Sequence, residues 1–394
     1  MGGNASHFFR AAFDSLLAGS IVCVAFTNLR RKEKKTMAFE YVSNQEIIQA
    51  ARRNMSQDVW DYLTGGAESE TTMRRNRLGF DSLGLRPRVL LDVSKVDTST
   101  TFLGQKLRIP VMLAPMGSLQ TMTPEGGVAV GKAAAEFGSI NFVSSVTQPS
   151  LEEIAAATTT PKIFQLYVRG DLDWCAGVIE RAKKAGYMAL CLTVDTAHYS
   201  RRERPLLNRW QPPSRHREAG RIFQAMLTWE MCVAMKKIAG MPLIIKGIAT
   251  AEDAKIAVEH GVDVIYVSNH GGRQLDHGLG TIDTLPEIAA AVNGKAEIVL
   301  DGGVTRGTDV VKALALGANA VNIGKLQGWG LGAAGKDGVV RVLELLEEEI
   351  TIDMALLGVT RVDQLTKNYV CKAQPTTFAH EMSAFVHIPG GLLR

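Results

Sequence analysis

The sequence lacks the features that would place it outside ordinary globular proteins. Its five cysteines (Cys23, Cys175, Cys191, Cys232, Cys371) are scattered over 394 residues and none forms a C-x-x-C pair. This excludes a disulfide scaffold and a thiolate zinc cluster, and fits reduced thiols in a cytoplasmic compartment. No metal-ligand motif is present. Proline is sparse at 13 residues and aromatics make up 6%, so neither a collagen-like nor a proline-rich low-complexity chain is in play. The net charge of +4 is too small and too dispersed for a nucleic-acid partner. No G-x-G-x-x-G follows the first strand-like run, which removes the phosphate fingerprint of a dinucleotide-binding sheet. The longest apolar run, at 12–26, falls short of the ~20 residues a spanning helix needs.

That run and the basic RRKEKK at 30–35 set residues 1–36 apart. They read as an upstream extension before Met37, a weak membrane or targeting segment, or a packed helix. The closing GGLLR carries no S-K-L peroxisomal address.

Glycine is abundant, at 38 residues, and the rest of the chain has a strong rhythm. From residue 108, eight short apolar runs recur: 111–115, 140–145, 163–168, 189–195, 243–247, 264–270, 297–303 and 320–325. Helix-period segments separate them. Thr250 caps one such helix, which stops at Gly261. Thr308 opens another, which stops at Gly317. Eight strands alternating with helices predict a (β/α)8 TIM barrel, spanning about 108 to 350, in a domain of residues 37–366. A helical lead-in precedes the barrel and a tail, 367–394, follows it.

In such a barrel the active site lies at the C-terminal ends of the strands. Those ends present Pro115, Met116 and Gly117; Ser144; Gln165 and Tyr167; Thr193 and Asp195; Lys246; Ser268 and His270; Asp301, Gly302 and Gly303; and Gly324 and Lys325. His270 and Arg273 sit three apart in SNHGGRQLD, so a base lies beside a planar carboxylate clamp. The pair suits proton or hydride abstraction next to a carboxylate; a capping His with a surface Arg is the bland alternative. Asp195 could orient the imidazole. Lys246 could form a Schiff base, hold phosphate, stabilise an anionic ring or simply reach for solvent. Glycine at the ends of the last two strands suggests a phosphate-bearing ligand.

Taken together, SNHGGRQLD, LTVD, QLYVRGD, LIIKGI, DGGVTRGTDVVKALALGA and the earlier VWDYLTGGAESETT resemble the FMN-dependent 2-hydroxy acid oxidases and dehydrogenases, which include glycolate oxidase, lactate oxidase and mandelate dehydrogenase. The resemblance covers roughly residues 40–366. It implies an FMN oxidoreductase that converts an (S)-2-hydroxy acid to the 2-oxo acid, with oxygen, a quinone or another electron acceptor, in a homotetramer.

By the same resemblance, His270 takes the hydroxyl proton, or the α-proton in a carbanion route, and Asp195 stabilises the imidazolium. Arg202 and Arg273 hold the substrate carboxylate, while Tyr62 and Tyr167 hydrogen-bond the substrate. Lys246 sits near the flavin. Pro115, Met116, Gly117, Ser144, Gln165, Thr193 and Ser268 line the ring. Asp301, Gly302, Gly303, Val304, Thr305, Gly324 and Lys325 hold the ribityl phosphate.

Several positions depart from the family pattern. Thr305 and Lys325 stand where arginine is usual, which predicts weakened FMN binding, and Arg306 is offset by one residue. Val146 occupies a position that affects substrate size. The Arg-rich stretch between Arg202 and Lys246 is short, which predicts an open site and admits a bulkier or amine-type substrate. A non-redox barrel that binds a phosphorylated ligand is the reading of another class.

Overall fold

The computed structural model describes residues 41–215 and 220–388. The 1–36 extension, the GGLLR end and part of the Arg-rich stretch lie outside the described residues.

All eight expected runs form strands. They are β1 (Val111–Leu113), β2 (Asn141–Ser144), β3 (Lys162–Leu166), β4 (Ala189–Thr193), β5 (Leu243–Ile248), β6 (Val264–Val267), β7 (Glu297–Leu300) and β8 (Ala320–Ile323). Neighbours pair in parallel, and β8 closes on β1 through Ile323 opposite Leu113. The runs are apolar on both faces because the barrel interior takes one face and the outer helices the other.

The interior is packed. Phe142, Tyr266, Met112, Ile163, Val264 and Val299 form one buried cluster with Phe102 and Leu107. These last two come from the antiparallel pair Thr100–Phe102 and Gln105–Leu107, which precedes the first strand.

Local chemistry explains the helix starts. Thr250 Oγ1 accepts from the Asp253 N–H at 3.2 Å, as its sequence predicts. Thr308 does not open its helix. That helix is Gly307–Ala315, and the Asp309 carboxylate turns back to accept from the Thr305 and Arg306 N–H groups, at 2.9 and 3.0 Å. A carboxylate at the positive end of the helix replaces the hydroxyl cap.

Three lead-in helices pack onto the barrel: α1 (Asn44–Asn54), α2 (Gln57–Thr64) and α3 (Thr71–Asp81). The chain after residue 366 is also built in. Val370–Lys372 pairs with Leu83–Leu85, and Met382 and Phe385 are buried. No helix among the described residues is long and apolar enough to cross a membrane. The four described cysteines are unpaired.

Candidate active site

A cavity of about 530 Å³ opens at the C-terminal ends of the strands, within the usual range for a small-molecule site. Its wall includes Tyr62, Pro115, Met116, Gly117, Tyr167, Arg202, Lys246, His270, Arg273, Asp301, Gly302, Gly303, Val304, Thr305, Gly324 and Lys325. Ser144, Gln165, Thr193 and Ser268 are almost fully buried just behind it, and Asp195 supports the wall through His270.

His270 is the centre of the polar arrangement. Its Nδ1 lies 3.1 and 3.2 Å from the two Asp195 oxygens, and its Nε2 lies 3.4 Å from the Tyr167 hydroxyl. An ionised carboxylate accepts the hydrogen bond from Nδ1–H, which leaves the Nε2 lone pair towards the cavity. Burial lowers the His270 pKa below 6.5, Asp195 partly opposes this, and Lys246 lowers it further. The ring is therefore a neutral base at pH 7. Burial, then Asp195, pushes the Tyr167 phenol well up, so it stays a donor.

Asp195 can approach this closely because Gly247 follows Lys246. Gly247 has φ +116°, and a Cβ there would meet the Asp195 Cβ at 2.7 Å and its N at 2.8 Å. The pairing of β5 with β6 shifts register at this point. Gln274 ties the two halves together by donating to the Asp195 and His198 carbonyls, both at 2.9 Å.

Lys246 Nζ donates to Ser268 Oγ at 2.9 Å and lies 3.7 Å from Asp301. Ser268 Oγ donates to Asp301 at 2.6 Å, and the Tyr266 hydroxyl donates to the same carboxylate at 2.9 Å. Burial favours the neutral amine, but Asp301 and Asp195 outweigh it and raise the Lys246 pKa. The cavity wall thus carries a fixed positive charge.

Arg273 and Arg202 lie side by side. Arg273 Nη1 donates to the Tyr62, Leu63 and Gly65 carbonyls, at 2.6, 3.2 and 2.8 Å. Arg202 donates to the Arg273 carbonyl and to Gln274. Burial, then the neighbouring Arg202, lowers Arg273 to about 10. Neither makes an ion pair with a described carboxylate, so the two cations are arranged for an anion supplied from outside. Tyr62 brings its ring to within 5.0 Å of the Arg273 guanidinium and donates to the Gly117 carbonyl at 3.5 Å.

At the far end, Gly302 and Gly303 take φ of +93° and +90°. A Cβ on Gly324 would meet only Ala114 Cβ, at 3.9 Å, so the backbone there is open. Lys325 donates to the Thr64 carbonyl at 2.6 Å, and burial lowers its pKa to about 7. Thr305 is buried against Asp309. Arg306 does not take over the role of a second cation here: it pairs with Glu349 at 2.8 Å and lies over Phe385, outside the cavity.

Sequence reasoning did not find Arg77 or Asn76. Arg77 donates to the Gly303 carbonyl, Thr305 and Asp309, and Asn76 exchanges hydrogen bonds with Asn269. Both lie on α3, in a run of charged residues with no local motif, and only tertiary packing brings them to the site. The Arg202–Lys246 segment, expected to be short and to leave the site open, contributes to the cavity wall. Ser214, Arg215, Arg221, Ile222, Gln224 and Ala225 line the cavity, and Gln224 anchors the segment by donating to the Thr193 carbonyl at 2.7 Å and accepting from the Val168 N–H at 2.8 Å.

The chain as a whole is similar to known proteins. A peroxisomal (S)-2-hydroxyacid oxidase of Arabidopsis thaliana is 41% identical over 350 residues, covering 84% of this chain and 96% of its own length. An L-lactate oxidase of Nostoc is 40% identical over 352 residues, covering 82% and 96%. The crystal structure of a mandelate oxidase with (S)-2-phenylpropionate superposes with a TM-score of 0.79 at 36% identity, covering 86% of this chain and all of that one. The model of FMN-dependent dehydrogenases matches residues 51–372, and the chain belongs to that family of flavin-dependent oxidoreductases.

Proposed function

We propose that the protein oxidises (S)-2-hydroxy acids to 2-oxo acids with His270 as the base. The carrying observation is the placement of His270 Nε2 on a cavity wall beside two arginines that have no carboxylate partner among the described residues. Arg202 and Arg273 bind the substrate carboxylate, and the Tyr167 hydroxyl orients the substrate hydroxyl. His270 accepts the substrate proton at Nε2. Asp195, held to Nδ1, stabilises the imidazolium that results.

The site fits FMN on its own terms. Gln165 Nε2 and Thr193 Oγ1 are buried without partners at adjacent strand ends, as polar groups awaiting a heteroatom-bearing ring would be. Bound FMN supplies the two-electron acceptor for the α-carbon. Lys246 would place positive charge beside the ring, and the 302–305 backbone, Gly324 and Lys325, at the start of the Lys325–Leu357 helix, would hold the ribityl phosphate.

The purified protein should absorb in the blue, and that band should bleach anaerobically when a 2-hydroxy acid is added. A protein that takes up no FMN, or one reduced by amines and not by hydroxy acids, would overturn the reading.

Lys325 gives this reading a pH signature. With a lysine near 7 as the phosphate's cation, binding takes up a proton above neutrality. FMN affinity for the apoprotein should therefore fall between pH 7 and 9, by up to about tenfold per unit. A flavin-fluorescence titration giving the same Kd at both pH values would remove Lys325 from the phosphate site.

Cytoplasmic residence and a homo-oligomeric assembly belong to the same proposal. Unpaired thiols support the first, and the exposed apolar run Val89, Leu90 and Leu91 supports the second. Cell fractionation and light scattering test them.

A further inference from the structure

Residues 373–388 lie beyond the segment that matches the family, yet they reach the active-site cavity. The stretch 373–378 is exposed, and the chain then turns inward. Met382, Phe385 and Ile388 are buried, Ser383 Oγ donates to Asp81 at 3.1 Å, and the His387 N–H donates to Gln45 at 2.8 Å. The tail is therefore docked, by apolar side chains and by hydrogen bonds to the start of α1 and the end of α3.

Docking brings two of its side chains to the two helix starts at the phosphate end of the cavity. The Phe385 ring lies 5.7 Å from the guanidinium of Arg306, which precedes the Gly307–Ala315 helix. Glu381 stands in the cavity wall close to Lys325, the first residue of the Lys325–Leu357 helix. Arg204 holds it there, donating to Glu381 at 3.0 Å and also to Glu70 and to Thr64 Oγ1. Burial alone would raise the Glu381 pKa, but Lys325 and then Arg204 outweigh it and keep the group below the usual carboxylate range. On charge alone a carboxylate here opposes a phosphate. Its contribution must come through what it ties together, since a buried carboxylate costs stability unless cations hold it.

We propose that the tail is a strap over the cofactor's phosphate, with the Glu381–Arg204 pair as its latch, and that it sets how fast FMN enters and leaves. This rests on FMN occupying the cavity and is independent of which substrate is oxidised. Glu381 is a positioning residue: it fixes the tail to Arg204, which in turn holds Thr64, the residue whose carbonyl accepts from Lys325. A closed strap obstructs one path in both directions, so loosening the latch speeds entry and release together and leaves affinity nearly unchanged.

The test follows flavin fluorescence, on mixing the apoprotein with FMN for entry and on diluting the FMN-loaded protein for release. Glu381→Gln keeps the side chain's shape and removes the charge-assisted bond to Arg204. Both rates should rise about tenfold, in line with the loss of one such bond, with Kd changed by less than about threefold. A chain ending at Lys372 should show the same pair of increases, and Glu381→Gln decides alone if that chain does not fold. A carboxylate that only repels the phosphate would give faster entry with slower release. A tail that only stabilises the fold would give faster release without faster entry. Either pattern, or two unchanged rates, would overturn the strap. A parent protein that takes up no FMN would end the cofactor reading instead.

Discussion

Replacing His270 with Ala should leave a yellow protein whose flavin is reduced by a 2-hydroxy acid about 10²–10⁴-fold more slowly. The colour should persist because the flavin contacts proposed above are made by other residues, most of them on other strand ends. The rate should fall because no other described group on the wall is a neutral base held against a carboxylate. The pH dependence follows from the same environment. His270 works unprotonated, and burial puts its folded pKa below 6.5. The acid limb of kcat/KM should therefore lie below pH 6.5, with activity lost as pH falls through it. Asp195→Asn sharpens the test because it has two opposed effects. It removes the charge that raises the His270 pKa, so the limb moves further to acid. It also removes the counter-charge for the imidazolium, so the plateau drops. A His270→Ala protein reduced at the normal rate would end His270's role as base, and an Asp195→Asn limb displaced towards alkaline pH would end the assignment of Asp195.

The barrel was legible because its signal is local. Each strand is a short apolar run buried on both faces, and ALCLT of β4 needs no neighbour to declare itself. His270 and Arg273 were legible for the same reason, since one loop carries both. Asp195 and Lys246 followed because strand ends share a rim in this fold. One error came from helical phase at a single residue: Thr308 has the composition of a cap, yet Asp309 supplies the capping oxygen, while Arg306, offset by one residue as expected, turns outward to Glu349. The remaining gaps are tertiary. Nothing in MRRNRL distinguishes Arg77 from Arg74 or Arg75 until α3 docks on the barrel. Arg215 and Arg221 were visible within a charged stretch, but their convergence on Tyr199 depends on how that stretch folds back.

Arg77 carries the largest expected effect on stability. It lies 2.7 and 2.9 Å from the two Asp309 oxygens and 2.7 Å from Asp81, with the Arg77 and Asp309 side chains 4% and 1% exposed. Removing one member of such a pair leaves the other charge buried and uncompensated, so Arg77→Leu should cost about 3–5 kcal/mol. Urea unfolding of the FMN-saturated protein measures this, and a loss under about 1 kcal/mol would contradict it. The pH behaviour fixes the mechanism. Burial alone would raise the Asp309 pKa, but Arg77 outweighs it and holds the group below its ordinary value. A depressed carboxyl contributes stability that is present above its unfolded pKa and lost as pH falls through the folded one. The gap between the parent and Arg77→Leu should therefore be widest near neutrality and narrow in acid, as Asp309 becomes protonated in both. The same guanidinium holds the Gly303 carbonyl at 2.7 Å and the Thr305 hydroxyl at 3.0 Å, so FMN affinity should fall together with stability. His270 and Arg77 then separate cleanly. Loss of His270 removes the chemistry and spares the colour, whereas loss of Arg77 loosens the fold and the flavin while slowing reduction in the FMN-saturated protein far less.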